Sequence, residues 1–113
     1  MSARAEEPEI IEMLATGYCD GTTCADGSKV HKGVCAVAPE RIGQTAIIYT
    51  ADGSEVLGIM ECRDTGGQTI RSGKVIDVYF PTMEEVNEFA KRVYAADETK
   101  KGRVRVQFLY AEG

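Results

Sequence analysis

Short apolar runs separated by turn-forming residues are the feature of this sequence that most limits its fold. Two of them, VCAVA (34–38) and TAIIYTA (45–51), are β-branched or apolar and are bounded by glycine or proline, as strands commonly are. The dipeptide DG at 52–53 follows the second run and predicts a hairpin turn. Near the end, RVRVQFLYA (103–111) alternates apolar and polar residues, with Tyr110 on the apolar side. This alternation predicts a half-buried strand.

One helix is predicted, directly after Pro81. Thr82 is followed three residues later by Glu85, a spacing typical of a capping box. The apolar residues that then recur at helical spacing are Val86, Phe89, Ala90, Val93 and Tyr94. Because they form one stripe, we predict that this helix packs all five side chains against a sheet.

The chain length and the number of strands predict one compact domain. A chain of 113 residues can bury a modest core of its own. The segment 10–16 suits a strand or a helix, and we predict a strand because Tyr18 and Cys19 follow it without a helix cap. The prediction is a mainly β fold of about six strands, with the helix before the last strand. Such short strands favour a closed barrel, which leaves no strand edge exposed.

Charge and hydropathy exclude some classes of function. The formal net charge is -5, and the basic residues cluster only at Lys100, Lys101, Arg103 and Arg105. This distribution argues against nucleic acid as the partner, since such proteins usually have a wider basic surface. No apolar run approaches the roughly 20 residues of a membrane-spanning helix. The first residues lack a charged-then-apolar leader, so in a secreted protein we expect the signal peptide to have been removed already.

The four cysteines are compatible with several states. They are Cys19, Cys24, Cys35 and Cys62. An even number in a short chain permits two disulfides, with three possible pairings, and equally permits four free thiols. With His31, the first three cysteines also form a set of possible zinc ligands, although their spacing matches no common zinc motif. The sequence pattern leaves these three interpretations open.

Asp77 interrupts the apolar run VIDVYF (75–80). With apolar residues on both sides of the strand, we expect its carboxylate to be partly desolvated, which raises the pKa of an aspartate. A carboxyl group in that state can hold a proton at neutral pH and donate it to a substrate. The structural alternative is that Asp77 only accepts backbone hydrogen bonds at a bend in the strand.

Asp64 precedes the corner formed by Thr65, Gly66 and Gly67. Glycines allow a tight backbone that can direct amide groups at an anion or a sugar. The structural alternative is that Asp64 accepts hydrogen bonds from its own turn, a common use of aspartate. Arg71 lies shortly after this corner and is interpreted either as a solvated charge or as a group that holds a substrate carboxylate.

Asp20 is a third acidic candidate, close in sequence to Tyr18 in TGYCDGTTC (16–24). A loop aspartate is more commonly solvated than functional. His31 is the only histidine, so no Ser/His/Asp relay can be assigned.

The order of these pieces resembles the three-aspartate (3D) domain of bacterial cell-wall proteins, which is similar to the catalytic part of membrane-bound lytic transglycosylase A. The matching segments are ATGYC, GVCAVAPERIG, CRDTGG, VIDVYF and EEVNEFAKRV. The resemblance extends over about 15–109, so residues 15–113 are assigned to this domain and 1–14 to an extension or linker. It implies a six-stranded double-psi β-barrel, a peptidoglycan substrate, a location outside the cell or on its surface, and no metal or other cofactor.

The resemblance also implies roles for particular residues. Asp64 and Asp77 match two of the three family aspartates, whereas Ala38 stands where the family has the third. The implied reaction needs one acid/base, and related barrels in cellulases and expansins suggest Asp77 for that role. Asp64 is then the second catalytic residue, and Asp20 is a substitute for the missing carboxylate. The residues implied to bind substrate are Asp20, Tyr18, Thr65, Gly66, Gly67 and Arg71.

A location outside the cell implies oxidised cysteines, and the expected disulfides are Cys19–Cys24 and Cys35–Cys62. The predicted activity is that of a monomeric lytic transglycosylase, which cleaves the bond between N-acetylmuramic acid and N-acetylglucosamine to leave a 1,6-anhydro end. The alternative is a glycan-binding module on the same barrel that has no catalytic activity. A redox or metal-binding domain built on the cysteines is a third possibility.

Overall fold

The computed structural model describes residues 9–110 and, for Glu9, the backbone alone. Within that range the chain forms six strands, two α-helices and one 3-10 helix. The strands are β1 (Glu9–Tyr18), β2 (Val34–Ala36), β3 (Thr45–Thr50), β4 (Val56–Asp64), β5 (Val75–Tyr79) and β6 (Arg103–Leu109). The helices are α1 (Gln68–Arg71) and α2 (Met83–Ala95), and the 3-10 helix is Pro39–Arg41. The mainly β class is confirmed.

The six strands pair in a ring, in the order β1-β5-β2-β4-β3-β6, which closes as a barrel. Two of the pairings, β1 with β5 and β2 with β4, are parallel. The other four are antiparallel. The β3–β4 pair is the hairpin predicted from the DG dipeptide at 52–53.

The ring has an internal twofold relationship. Exchanging β1 with β4, β2 with β5, and β3 with β6 leaves each pairing and its direction unchanged. The first three strands and the last three therefore occupy equivalent positions in the barrel, with β2 and β5 side by side at the centre of one face.

Alternate residues of the strands form the core. On β6, Val104, Val106 and Phe108 are buried, as the alternation predicted. Tyr110 does not continue that row, because β6 ends at Leu109 and the Tyr110 side chain is 63% exposed. The prediction that Tyr110 faces the core was therefore wrong.

Helix α2 begins as predicted, since the Thr82 side chain accepts a hydrogen bond from the Glu85 amide at 3.2 Å. The buried side chains of its apolar stripe are Val86, Phe89 and Val93. Tyr94 was predicted to join them but is 44% exposed. One residue further along a helix turns by about 100°. Tyr94 therefore lies at the edge of the buried stripe, with its ring beside Gly102.

Two boundaries differ from the prediction. Strand β1 begins at Glu9, so residues 9–14 belong to the barrel and not to an extension; residues 1–8 lie outside the described part of the chain. A second, short helix, α1, follows the glycine corner and was not predicted, because four residues are too few for a periodic pattern. Among the described residues, no helix is both long and apolar enough to cross a membrane.

The connection from α2 to β6 is organised by Asp97, a fully buried carboxylate. Its oxygens accept hydrogen bonds from the backbone amides of Thr99, Lys101, Gly102 and Arg103 at 2.9 to 3.0 Å. The Arg103 guanidinium adds an ion pair at 3.2 Å. Burial acts to raise the pKa of Asp97, but the hydrogen bonds from Arg103 and Thr99 outweigh it and hold that pKa well below its usual range.

Candidate active site

Asp77 faces the outside of the barrel. Its neighbours Ile76 and Val78 are fully buried in the core, and successive side chains of a strand point to opposite faces. Val75 and Tyr79 share the outer face with Asp77 and are partly buried, so neither face of this strand is fully exposed. The Asp77 side chain itself is only partly exposed.

The nearest polar partner of Asp77 is Thr16 on β1. The two residues are directly paired in the parallel ladder, and the Thr16 hydroxyl donates a hydrogen bond to Asp77 Oδ1 at 2.7 Å. Thr16 was not among the site residues predicted from sequence. Strand alternation places Thr16 on the same face as Tyr18, which is a usable signal, but the pairing with a residue 61 positions away depends on the register.

The pKa of Asp77 is raised, as predicted. Burial is the main cause, since it disfavours the charged form, and the nearby negative charges of Asp20 and Asp64 act in the same direction. The hydrogen bond from Thr16 opposes the rise because it stabilises the carboxylate. The structure thus brings Asp20 into the electrostatic surroundings of Asp77, although the Asp20 side chain itself is exposed.

A β-bulge turns Asp64 toward the same outer face. Cys35 pairs with Cys62, but the next residue of β2, Ala36, pairs with Asp64, so Arg63 is the extra residue. Cys35 and Cys62 point into the core, and the register shift therefore places Asp64 outward, beside Ala36. Bulges commonly redirect a side chain in this way next to functional sites.

Asp64 accepts three hydrogen bonds. The backbone amides of Ala25 and Thr65 donate to Oδ1, both at 2.9 Å, and the Tyr18 hydroxyl donates to Oδ2 at 3.3 Å. The bond from Thr65 confirms that Asp64 organises its own turn. The bonds from Ala25 and Tyr18 show that it also joins three separate segments of the chain.

Tyr18 remains a hydrogen-bond donor in this environment. Burial and the charge of Asp64 raise its pKa far above its usual value, so the phenol stays protonated. Its ring packs edge-on against Tyr79, with 5.4 Å between the ring centroids. Tyr18, predicted to bind substrate, thus lies beside Asp64.

The loop between β1 and β2 passes over one side of the site. Asp26 in this loop forms an ion pair with Arg63 at 3.1 Å, and Arg63 also binds Glu61 at 2.6 Å. At its other end, Lys32 pairs with Glu85 of α2 at 2.9 Å.

A polar cavity of about 240 Å³ lies beside Arg63; its lining residues are Asp26, Gly43, Gln44, Thr45, Glu61, Cys62 and Arg63.

The remaining predicted substrate-binding residues differ in their placement. Thr65 lies next to Asp64, and its hydroxyl oxygen is buried with no hydrogen-bond partner among the described residues. Gly66 is packed closely, since a Cβ there would lie 2.7 Å from Ile70 Cδ1. Gly67 is exposed and caps α1. Arg71 is exposed, and no hydrogen bond or ion pair within 9–110 joins it to the acidic residues.

The two predicted disulfides are absent, and all four cysteines are free thiols. The sulfur atoms of Cys35 and Cys62 are 3.8 Å apart, well beyond the roughly 2.05 Å of a disulfide bond. These two residues are neighbours because their strands pair in register, and each is buried in the core.

Among the described residues, no group of three or more histidine, cysteine or acidic side chains could hold a metal ion, so the candidate zinc ligands are not assembled.

The outer face of β1, β5, β2 and β4 thus carries one continuous polar site. Thr16 and Asp77 lie on one side of Ala36 and Asp64 lies on the other, while Tyr18 of β1 is linked to Asp64 by the hydrogen bond of its hydroxyl. Comparison of the sequence with models of protein families and with characterised proteins finds no match.

Proposed function

We propose that the chain is a lytic transglycosylase of the 3D-domain type, which cleaves peptidoglycan with Asp77 as its acid/base. One observation carries the proposal: Asp77 is partly buried, has a raised pKa, and shares an outer face of the barrel with a second carboxylate, Asp64, two strands away. The twofold relationship of the strand pairings supports the double-psi arrangement of that family. We further propose that the protein is a monomer that acts outside the cell or on its surface.

In the proposed reaction, Asp77 serves first as an acid and then as a base. Its proton passes to the glycosidic oxygen as the bond from that oxygen to C1 of N-acetylmuramic acid breaks. The carboxylate then accepts the proton of the O6 hydroxyl while O6 bonds to C1, which closes the 1,6-anhydro ring. The two proton transfers balance, so the reaction consumes no water.

The two carboxylates differ in the way that this mechanism requires. Asp64 has three hydrogen-bond donors directed at its oxygens, which suits a fixed negative group that shapes the site. Asp77 has one donor and a raised pKa, which suits a residue that exchanges a proton. Neighbouring strands lie about 4.8 Å apart, so β4 and β5, on either side of β2, are roughly 10 Å apart at the backbone. This separation favours a single acid/base over a closely spaced pair of carboxylates.

One observation favours a second candidate function, that of a glycan-binding module without catalytic activity. Ala38, at the position of the third family aspartate, is 5% exposed and lies two residues beyond Ala36. Ala38 directly precedes the 3-10 helix Pro39–Arg41 and has a methyl group where the family has a carboxylate. A barrel that binds glycan strands without cleaving them would result if that carboxylate were essential for the reaction.

The decisive experiment is mass analysis of purified peptidoglycan after incubation with the protein. The wild type is expected to release 1,6-anhydromuramyl fragments, and Asp77→Asn to lose about 100- to 10,000-fold in rate while still binding peptidoglycan. Asp64→Asn is expected to weaken both binding and turnover, because it removes the negative charge. The asparagine oxygen can still accept hydrogen bonds from the two backbone amides, but the asparagine nitrogen cannot accept the hydrogen bond of the Tyr18 hydroxyl.

Melting temperatures of the wild type and both variants provide the folding control. Full activity of a well-folded Asp77→Asn protein would contradict the mechanism. Binding of peptidoglycan by the wild type with no anhydro product would instead support the binding module, and Ala38→Asp would then test whether the missing carboxylate is the cause.

A further inference from the structure

We propose that Thr16 is a positioning residue, which occupies Asp77 Oδ1 with its hydroxyl and so leaves Oδ2 as the oxygen that exchanges a proton with substrate. The catalytic part of this inference rests on the proposed function. The contact itself does not: Thr16 Oγ1 lies 2.7 Å from Asp77 Oδ1, and the two residues are direct partners in the β1–β5 ladder.

The barrel holds this pair in a defined geometry. The flanking pairs, Ala15 with Ile76 and Gly17 with Val78, continue the same parallel register, and the side chains of Ala15, Ile76 and Val78 are buried. Thr16 is β-branched, so few orientations of its side chain are available. A hydroxyl presented from a neighbouring strand is thus directed at one oxygen of the carboxylate.

The surroundings of Asp77 give this hydroxyl a distinct electrostatic role. The titratable groups that interact with Asp77 are Tyr18 on β1, Asp20 in the loop that follows, Asp64 on β4 and Cys35 on β2. None of these is a cation. Among the interactions that shift the pKa of Asp77, the hydrogen bond from Thr16 is the one that lowers it, against burial and two negative charges.

A single acid/base must be present in both protonation states during each catalytic cycle. Its pKa is best placed near the working pH, since a group that is too weak an acid does not donate its proton efficiently. Thr16 opposes the rise caused by burial. It stabilises the carboxylate that forms when Asp77 gives its proton to the glycosidic oxygen, and so assists the first step. It also fixes the plane of the carboxyl group, so that Oδ2 is presented to the substrate.

The test compares Thr16→Val, which removes the hydroxyl at nearly constant shape, with Thr16→Ser, which keeps it. The Asp77 carboxyl is followed by carbon-13 NMR titration and is assigned with Asp77→Asn. We expect the pKa of Asp77 to rise in Thr16→Val and to stay near the wild-type value in Thr16→Ser. Thr16 is exposed, so neither change should impair folding. Thr69→Val, at an exposed position in α1 with no hydrogen bond to Asp77, is the matched control.

In the peptidoglycan assay, we expect Thr16→Val to lower the maximal rate roughly tenfold, the effect of one hydrogen bond to a charged group. The basic limb of its pH profile should move upward, and Thr16→Ser should restore both values. The titration needs no turnover, so an inactive wild type whose Asp77 responds to Thr16→Val would refute the proposed function and leave the contact intact. An unchanged titration or an unshifted pH profile in Thr16→Val would overturn the positioning role.

Discussion

Asp64 and Asp77 lie on opposite sides of one small residue, Ala36, which pairs with Asp77 of β5 and with Asp64 of β4. All three side chains are on the outer face of the barrel, and Ala36 is 3% exposed. A methyl group therefore separates the two carboxylates, where a larger side chain would fill the space between them.

Ala36→Val is expected to reduce the release of anhydro-muropeptides by at least about tenfold, through a shift of the acid/base from its working geometry. The added methyl groups should also cost about 1–3 kcal/mol in the free energy of unfolding. Ala46→Val is the matched control, because Ala46 is a fully buried core residue on β3. Its stability loss should be similar, with turnover retained. Equal activity of the two variants would show that the space beside Ala36 is not part of the site.

Phe89→Ala is expected to lower the free energy of unfolding by roughly 3–5 kcal/mol, as truncation of a buried aromatic side chain does. Phe89 is 5% exposed and packs against Phe80, with 5.1 Å between the ring centroids. Tyr94→Ala, on the exposed side of the same helix, should cost less than about 1 kcal/mol. Denaturant unfolding measures both. Similar losses in the two variants would contradict the orientation of α2.

The Asp97 carboxylate is expected to make stability dependent on acidic pH. Its pKa is lowered in the folded state, so its contribution is fully present above the unfolded value of about 3.9 and is lost as the pH falls toward the folded value. In thermal unfolding from pH 7 to pH 2, Asp97→Asn should melt well below the wild type at neutral pH, and the difference should shrink in acid.

Asp52 gives a comparison for this experiment. The hydrogen bonds of Ser54 and Thr50 lower its pKa to about 2, but the Asp52 side chain lies in an exposed turn. Asp52→Asn is therefore expected to have the smaller effect at neutral pH. A constant difference between Asp97→Asn and the wild type across the whole pH range would mean that the Asp97 network contributes through packing and not through charge.

Thiol labelling should distinguish the cysteines by exposure. Cys19 is partly exposed, whereas Cys24, Cys35 and Cys62 are buried. We expect one thiol to react readily with an alkylating reagent in the native protein and four to react after denaturation without reductant, as counted by mass spectrometry. Fewer than four reactive thiols in the denatured protein would instead support the disulfides expected from the sequence.

Local sequence patterns determined much of the framework. Three elements depend only on residues near one another in the chain: the alternation in 103–109, the DG turn and the capping box at Thr82. Each could therefore be predicted from the sequence alone. Short motifs also singled out Asp64 and Asp77 as candidate site residues, and the structure brings both to the outer face beside Ala36.

Only the tertiary structure decided what surrounds these acidic residues. Thr16 meets Asp77 through the register of two parallel strands that are distant in sequence, and the bulge at Arg63 turns Asp64 outward. The same is true of Ala25, whose amide reaches Asp64 from a loop. A shift of one residue in register would reverse every side chain of a strand. Periodicity therefore determined which residues share a face of each strand, whereas the closure of the barrel decided which faces meet and so placed Asp77 in the partly buried position that raises its pKa.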